Sequence, residues 1–194
     1  MDSVDLVWGG VRYVCTPETE PQPAAWAFPV GMHQQYPPEM WYAATLHGKN
    51  SNYASGFHTG IDLNLDLSPY GDIERTLGLS VYAVADGIVT NITPNWSGVP
   101  MLVINVMHNG EPLWVRYAHI IPCVMKGEVV HPGQALGTFA NWQGFSGGDH
   151  LHFDMALDAF TTEWCTASIR WVDPVDVLKA HLSPARVDAM CKKK

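Results

Sequence analysis

The stretch MLVINVMHNGEPLWVRYAHI (101–120) constrains the fold more than any other part of the chain. A β-branched, apolar run (101–107) leads to Asn109-Gly110, and the chain returns as PLWVRYAHI (112–120). Asn-Gly between two such runs is the strongest short-range hairpin signal, because a type I′ turn needs positive φ at both central residues. Neighbouring segments read the same way. VYAVADGIVTNI (81–92) is strand, Asp86-Gly87 turn, strand. GEVVHPGQALGTF (127–139) gives two short strands around Pro132-Gly133, and HLHFDMAL (150–157) gives another. The 17 glycines and 14 prolines are scattered, which favours many turns and short strands over long helices. Helix is confined to 173–181, with Asp173 as N-cap and Pro174 in the first helical position. The expected fold class is therefore mainly β: a small antiparallel sheet or sandwich domain with long connecting loops and a short C-terminal helix.

Residues 1–45 differ from the rest. Pro17, Pro21, Pro23, Pro29, Pro37 and Pro38 break regular elements, and Trp8, Trp26 and Trp41 are interleaved with them. This reads as an N-terminal arm that packs its aromatics on a main domain, 46–182, with 183–194 as a C-terminal tail. At 47% hydrophobic and 15% charged residues, the chain has enough apolar material for a real core. A net charge of −8 argues against nucleic-acid binding, which needs a surface of lysine and arginine to neutralise phosphates. No run of 18 apolar residues exists, so no membrane insertion is expected. The opening MDSVDLVWGGVRYV lacks a basic segment and a long apolar one, so no secretory signal is expected in it. The four cysteines, Cys15, Cys123, Cys165 and Cys191, form no CxxC pair; they allow three full disulfide pairings, and the sequence does not choose among these or free thiols.

The nine histidines carry the chemical information. His150 and His152 lie two apart in a strand, so both project from one face while Leu151 points to the other. Such a pair can serve as two metal ligands, as one ligand with an acid–base neighbour, or as two polar residues on a solvated face. His58 and Asp62, in GFHTGIDLNL, are an imidazole and a carboxylate that a tight loop containing Gly60 could bring to one point, and both groups are good zinc ligands. His119 lies in the returning hairpin strand, and alternation puts it on the face of Tyr117 and Val115, opposite Arg116 and Ala118. His33, His47, His108, His131 and His181 have no partner pattern and read as surface or packing residues.

Taken together, HTGID (58–62), VYAVADGIV (81–89), YAHI (117–120), GEVVHPGQALG (127–137), SGGDHLHFDM (146–155) and VDPVDVL (172–178) resemble the lysostaphin-type zinc metallopeptidases of bacterial cell walls, the M23 family. The resemblance runs from roughly residue 50 to 180. It implies a lysostaphin-like, duplicated-hybrid barrel whose loops wall a groove for an extended peptide. It further implies that His58, Asp62 and His152 bind Zn²⁺ and that His119 and His150 are catalytic. The implied activity is metalloendopeptidase cleavage of peptidoglycan peptides. Two positions depart from the family pattern: Asp149 stands where a small residue or proline is common, and Asp154 where glutamate is usual. Neither removes an expected ligand. Asn52 and Tyr53, just upstream of His58, are expected substrate contacts, and Trp96, Trp142 and Phe145 are expected to wall the groove.

An extracellular, cell-wall or virion-associated location follows from such a substrate. Two rival readings share the fold: a catalytically silent protein that binds the wall or activates another hydrolase, and a phage virion component with assembly partners. A third has the arm covering the groove as a pro-form, with His33, His47 or Asn52 over the metal.

Overall fold

The structure is a computed structural model and describes residues 4–8, 11–15, 25–32, 36–49, 56–66, 78–141, 149–163 and 168–192, the first two of these segments by backbone only. Strands β1 (Val4–Trp8) and β2 (Val11–Cys15) form a separate antiparallel ladder. There follow β3 (Trp41–Thr45), β4 (Gly48–Lys49), β5 (Phe57–His58), β6 (Gly60–Leu65), β7 (Ser80–Tyr82), β8 (Gly87–Trp96), β9 (Val99–His108) and β10 (Glu111–Ala118). The last strands are β11 (Ile120–Pro122), β12 (Val129–Val130), β13 (Ala135–Phe139), β14 (Leu151–Ala156) and β15 (Trp171–Val172). Two short helices close the chain, α1 (Pro174–His181) and α2 (Pro184–Met190).

The main sheet has the order β12-β8-β9-β10-β14-β6-β3, with β15 also on β14, and all its pairings are antiparallel. A second sheet, β11-β13-β7, covers one of its faces. The β9–β10 hairpin turns at Asn109 (φ 52°) and Gly110 (φ 84°), the two positive angles that the Asn-Gly pair predicts. Alternation sorts the side chains cleanly. Leu113, Val115 and Tyr117 of β10, and Leu151, Phe153 and Met155 of β14, enter one large core shared with Val177, Leu178, Val187 and Met190 of the helices. Met101, Val103, Ala118 and Ala156 point the other way, into a smaller cluster with Trp96 and Phe160.

The main sheet does not close into the barrel that the resemblance implies. One edge, β3, meets the C-terminal segment, where Ala43 N–H donates to the Lys192 carbonyl at 3.1 Å, and the other edge, β12, is two residues long. Among the described residues neither edge has a strand left with which to close the ring, so the sheet is open. At the C-terminus, α1 begins as its sequence dictates: Val175 N–H donates to the Asp173 carboxylate at 2.9 Å, and Pro174 occupies a first-turn position. The second helix, α2, carries Arg186 onto the Phe28 ring (5.0 Å) and the Glu39 carboxylate (2.6 Å). Trp26, Phe28, Val30 and Trp41 are all buried in the main core. Among the described residues, no helix is long and apolar enough to cross a membrane.

Candidate metal centre

β6 and β14 are paired so that Asp62 stands directly opposite His152 and Gly60 opposite Asp154. Asp62 is therefore delivered by a strand inside the main sheet, not by the tight loop read from the sequence. Only His58 arrives from outside that sheet, at the end of β5. Gly60 has a specific reason to be glycine: a Cβ there would lie 2.7 Å from the Phe153 carbonyl carbon and still closer to that carbonyl's oxygen and to Asp154 Cβ.

The three side chains converge. His58 Nε2 lies 3.1 Å from Asp62 Oδ1 and 3.1 Å from His152 Nδ1, and His152 Nδ1 lies 2.9 Å from Asp62 Oδ1. Ligands at about 2.0 Å around a tetrahedral ion stand about 3.3 Å apart, so this triangle is close to one face of such a tetrahedron. The outer hydrogen bonds say what the inner atoms carry. His58 Nδ1 faces the Leu46 carbonyl at 3.1 Å, and His152 Nε2 faces the Asp154 carboxylate at 3.0 Å. Both partners can only accept, so those nitrogens hold the ring protons, and in its neutral form each ring turns a bare lone pair inward. Two imidazole lone pairs and a carboxylate oxygen meeting in a buried space call for a cation, and the donor set suits zinc.

The electrostatics agree. Burial opposes the charged form of Asp62, but the closeness of His152 and His58 to its oxygen holds its carboxyl well below the usual range. Burial likewise works against a proton on His152, but Asp154 and Asp62 outweigh it and raise its pKa. The cluster thus attracts positive charge.

His119 and His150 flank the triangle. Their rings are 4.8 Å apart, His150 Nε2 is 3.7 Å from Asp62 Oδ1, and both residues are buried. The face assigned to His119 by alternation needs correction. Tyr117 does point into the main core, where its hydroxyl accepts from Val84 N–H at 3.0 Å, but His119 does not follow it. His119 lies between β10 and β11 with φ 64°, and this left-handed residue turns its ring to the opposite face, against Trp96 (5.6 Å) and His150. Burial, reinforced by His150 and His152, lowers its pKa to about 2, so the ring is neutral at ordinary pH.

Two further site residues, Arg116 and Asp154, stand out only in the structure; in the sequence Asp154 is a departure from the family pattern and Arg116 carries no motif. Both are fully buried and ion-paired with each other, and Asp154 bonds His152. The signal was present in principle: Arg116, His152 and Asp154 fall on one face of two paired strands. Trp96 is packed beneath the histidines, 5.8 Å from His152. His47 packs edge-on against Phe57, His131 pairs with Asp86 at the surface, and His108 meets His181 at 2.8 Å under the Trp26 ring. Asn52, Tyr53, His33, Trp142 and Phe145 lie outside the described residues.

Residues 56–162, over half the chain, match the description of peptidase family M23, and the chain belongs to that family. Among solved structures, the antimicrobial peptidase lysostaphin from Staphylococcus simulans gives a TM-score of 0.57 at 20% identity, over 81% of this chain and 55% of that one. Its isolated catalytic domain gives 0.52 at 24% identity, over 70% of this chain and 90% of the domain. The catalytic domain of the prophage-encoded M23 protein EnpA from Enterococcus faecalis, crystallised as a mutant, gives 0.51 at 22%, over 78% and 96%. The chain thus spans about half the length of lysostaphin and has the fold of its catalytic domain. No curated protein sequence matches the chain.

Proposed function

We propose that the protein is a zinc-dependent metalloendopeptidase that hydrolyses peptide bonds in the stem or cross-bridge of bacterial peptidoglycan. The observation that carries this reading is the convergence of lone pairs from His58, Asp62 and His152 beside two further buried histidines. Three protein ligands are the complement of a catalytic zinc, which keeps a position for water or substrate. Zinc supplies Lewis acidity there, polarising the scissile carbonyl and lowering the pKa of water to about 7. His119 and His150, buried side by side, share the proton work: one of them accepts a proton from the attacking water. The same ring later returns that proton to the leaving amine, while an N–H of the other donates to the carbonyl oxygen as charge builds on it. Asn52 and Tyr53 are proposed to contact the peptide. Such a substrate places the protein's action at the cell wall, reached from outside the cell or from a virion.

Mass spectrometry of defined muropeptides, wild type against His150→Ala, tests the reading. Zinc-dependent cleavage of a peptide bond, lost in the variant, is the expected result. Intact muropeptides in the presence of fully zinc-loaded wild type would instead identify a silent wall-binding protein of the same fold.

A further inference from the structure

His152 is gripped from behind by a buried ionic network. Asp154 lies two residues on from His152 and so on the same face of β14, and Arg116 stands directly opposite Asp154 on β10. Asp154 Oδ2 accepts from His152 Nε2 at 3.0 Å, from Thr59 Oγ1 at 2.7 Å and from Arg116 Nη2, while Oδ1 accepts from Arg116 Nε at 3.0 Å. Arg116 Nη1 donates to the Glu163 carbonyl at 2.7 Å. The guanidinium sits among three aromatic rings, Trp96 at 4.6 Å, Phe160 at 5.0 Å and Trp171 at 5.2 Å. The Trp96 indole in turn stands close to His119 and His152.

Packing alone does not call for these ions. Apolar side chains of similar volume would fill the same space without the cost of taking two charges out of water. What an apolar pair cannot do is dictate a tautomer. A carboxylate fixed by a guanidinium fork offers His152 nothing but acceptors, so Nε2 has to donate. We propose that Asp154 and Arg116 are positioning residues for the metal site: Asp154 holds His152 in the Nε2–H tautomer with Nδ1 bare, and Arg116 holds Asp154. This rests on the metal reading above. It adds that the ligand's readiness is set by a strand-to-strand ion pair outside the ligand set.

An asparagine at 154 keeps the shape but can turn an N–H toward the ring, which would move the ring proton to Nδ1, the ligand position. The test uses the full chain, wild type and Asp154→Asn, with two readouts. Zinc affinity is measured by competition with a chromophoric chelator. The His152 tautomer is read from ring ¹⁵N NMR of the metal-free protein at a pH where the ring is neutral. The expected result is zinc binding weakened about 10–100-fold in the variant, with the Nε2–H tautomer present in wild type and lost in Asp154→Asn. Equal affinities in the two proteins, or an Nδ1–H ring in wild type, would overturn the proposal. If Asp154→Asn does not fold, the wild-type tautomer decides alone. If wild type binds no zinc, the metal reading fails separately, and the tautomer still judges this inference.

Discussion

Gly60→Ala is a one-methyl perturbation whose effect can be worked from the structure. Gly60 faces Asp154 across the β6–β14 ladder, and the added methyl would lie 2.7 Å from the Phe153 carbonyl carbon, where real Cβ contacts essentially never fall below 3.0 Å. The closest obstacle is the Phe153 backbone, which is rigid, so the strands would have to separate by about 1 Å to restore ordinary contact. Overpacking of this kind costs about 1–3 kcal/mol, partly offset by the roughly 0.5–1 kcal/mol gained when alanine replaces a flexible glycine. A net loss of about 1 kcal/mol, with a urea m-value of about 2 kcal/mol/M, moves the unfolding midpoint down by about 0.5 M. The same displacement stretches the 2.9 Å Asp62–His152 edge of the metal triangle. Zinc affinity should therefore fall at least about tenfold, or ~1.4 kcal/mol. Urea unfolding followed by tryptophan fluorescence in chelator, with zinc titration of the same sample, measures both. A midpoint within about 0.2 M of wild type together with unchanged zinc affinity would refute the claim that this glycine sets the strand spacing at the site.

Three further outcomes are expected. His119→Ala and His150→Ala should each keep one equivalent of zinc while kcat on a muropeptide falls about 10²–10⁴-fold; loss of the metal in either would make that residue a ligand instead. Cys191 is buried, and burial pushes its thiol up to about 12, so alkylation mapped by mass spectrometry at pH 8 should leave it unlabelled until the chain is unfolded. Burial disfavours ionised Asp154, but Arg116 and His152 more than compensate and hold its folded pKa below the unfolded value. Its contribution to stability is therefore complete above the ordinary carboxylate pKa of about 3.9 and is lost as pH falls through the lower folded value. Between about pH 5 and pH 2 the metal-free wild type should lose stability more steeply than Asp154→Asn, and parallel curves would contradict the ion pair.

What was legible in the sequence follows from local rules. Asn109-Gly110 fixed the hairpin because a two-residue turn has few solutions, and Asp173-Pro174 fixed the start of α1 because capping is local. His150 and His152 share a face because side chains in a strand repeat every second residue. The same rule misplaced His119, since one left-handed residue ends the alternation and no residue type announces a histidine at φ 64°. Trp41–Thr45, among the prolines, gave no strand signal that outweighed its surroundings, yet it pairs with β6 along the sheet edge. The separation between Asp62 and His152 in the chain hides that they are cross-strand neighbours, and the spacing to His58 alone suggests a loop. Alternation puts Arg116 on the face opposite Val115 and Tyr117 without saying what it meets there. Only the partner strand shows that a carboxylate and three rings await it there.

Whether these three side chains hold the metal is decided by an anomalous difference map collected at the zinc edge from crystals of the zinc-loaded chain. A single strong peak about 2.0–2.2 Å from His58 Nε2, Asp62 Oδ1 and His152 Nδ1 together is expected. A peak bound by other side chains, or none at these three atoms in protein shown to be zinc-loaded, would contradict their role as ligands.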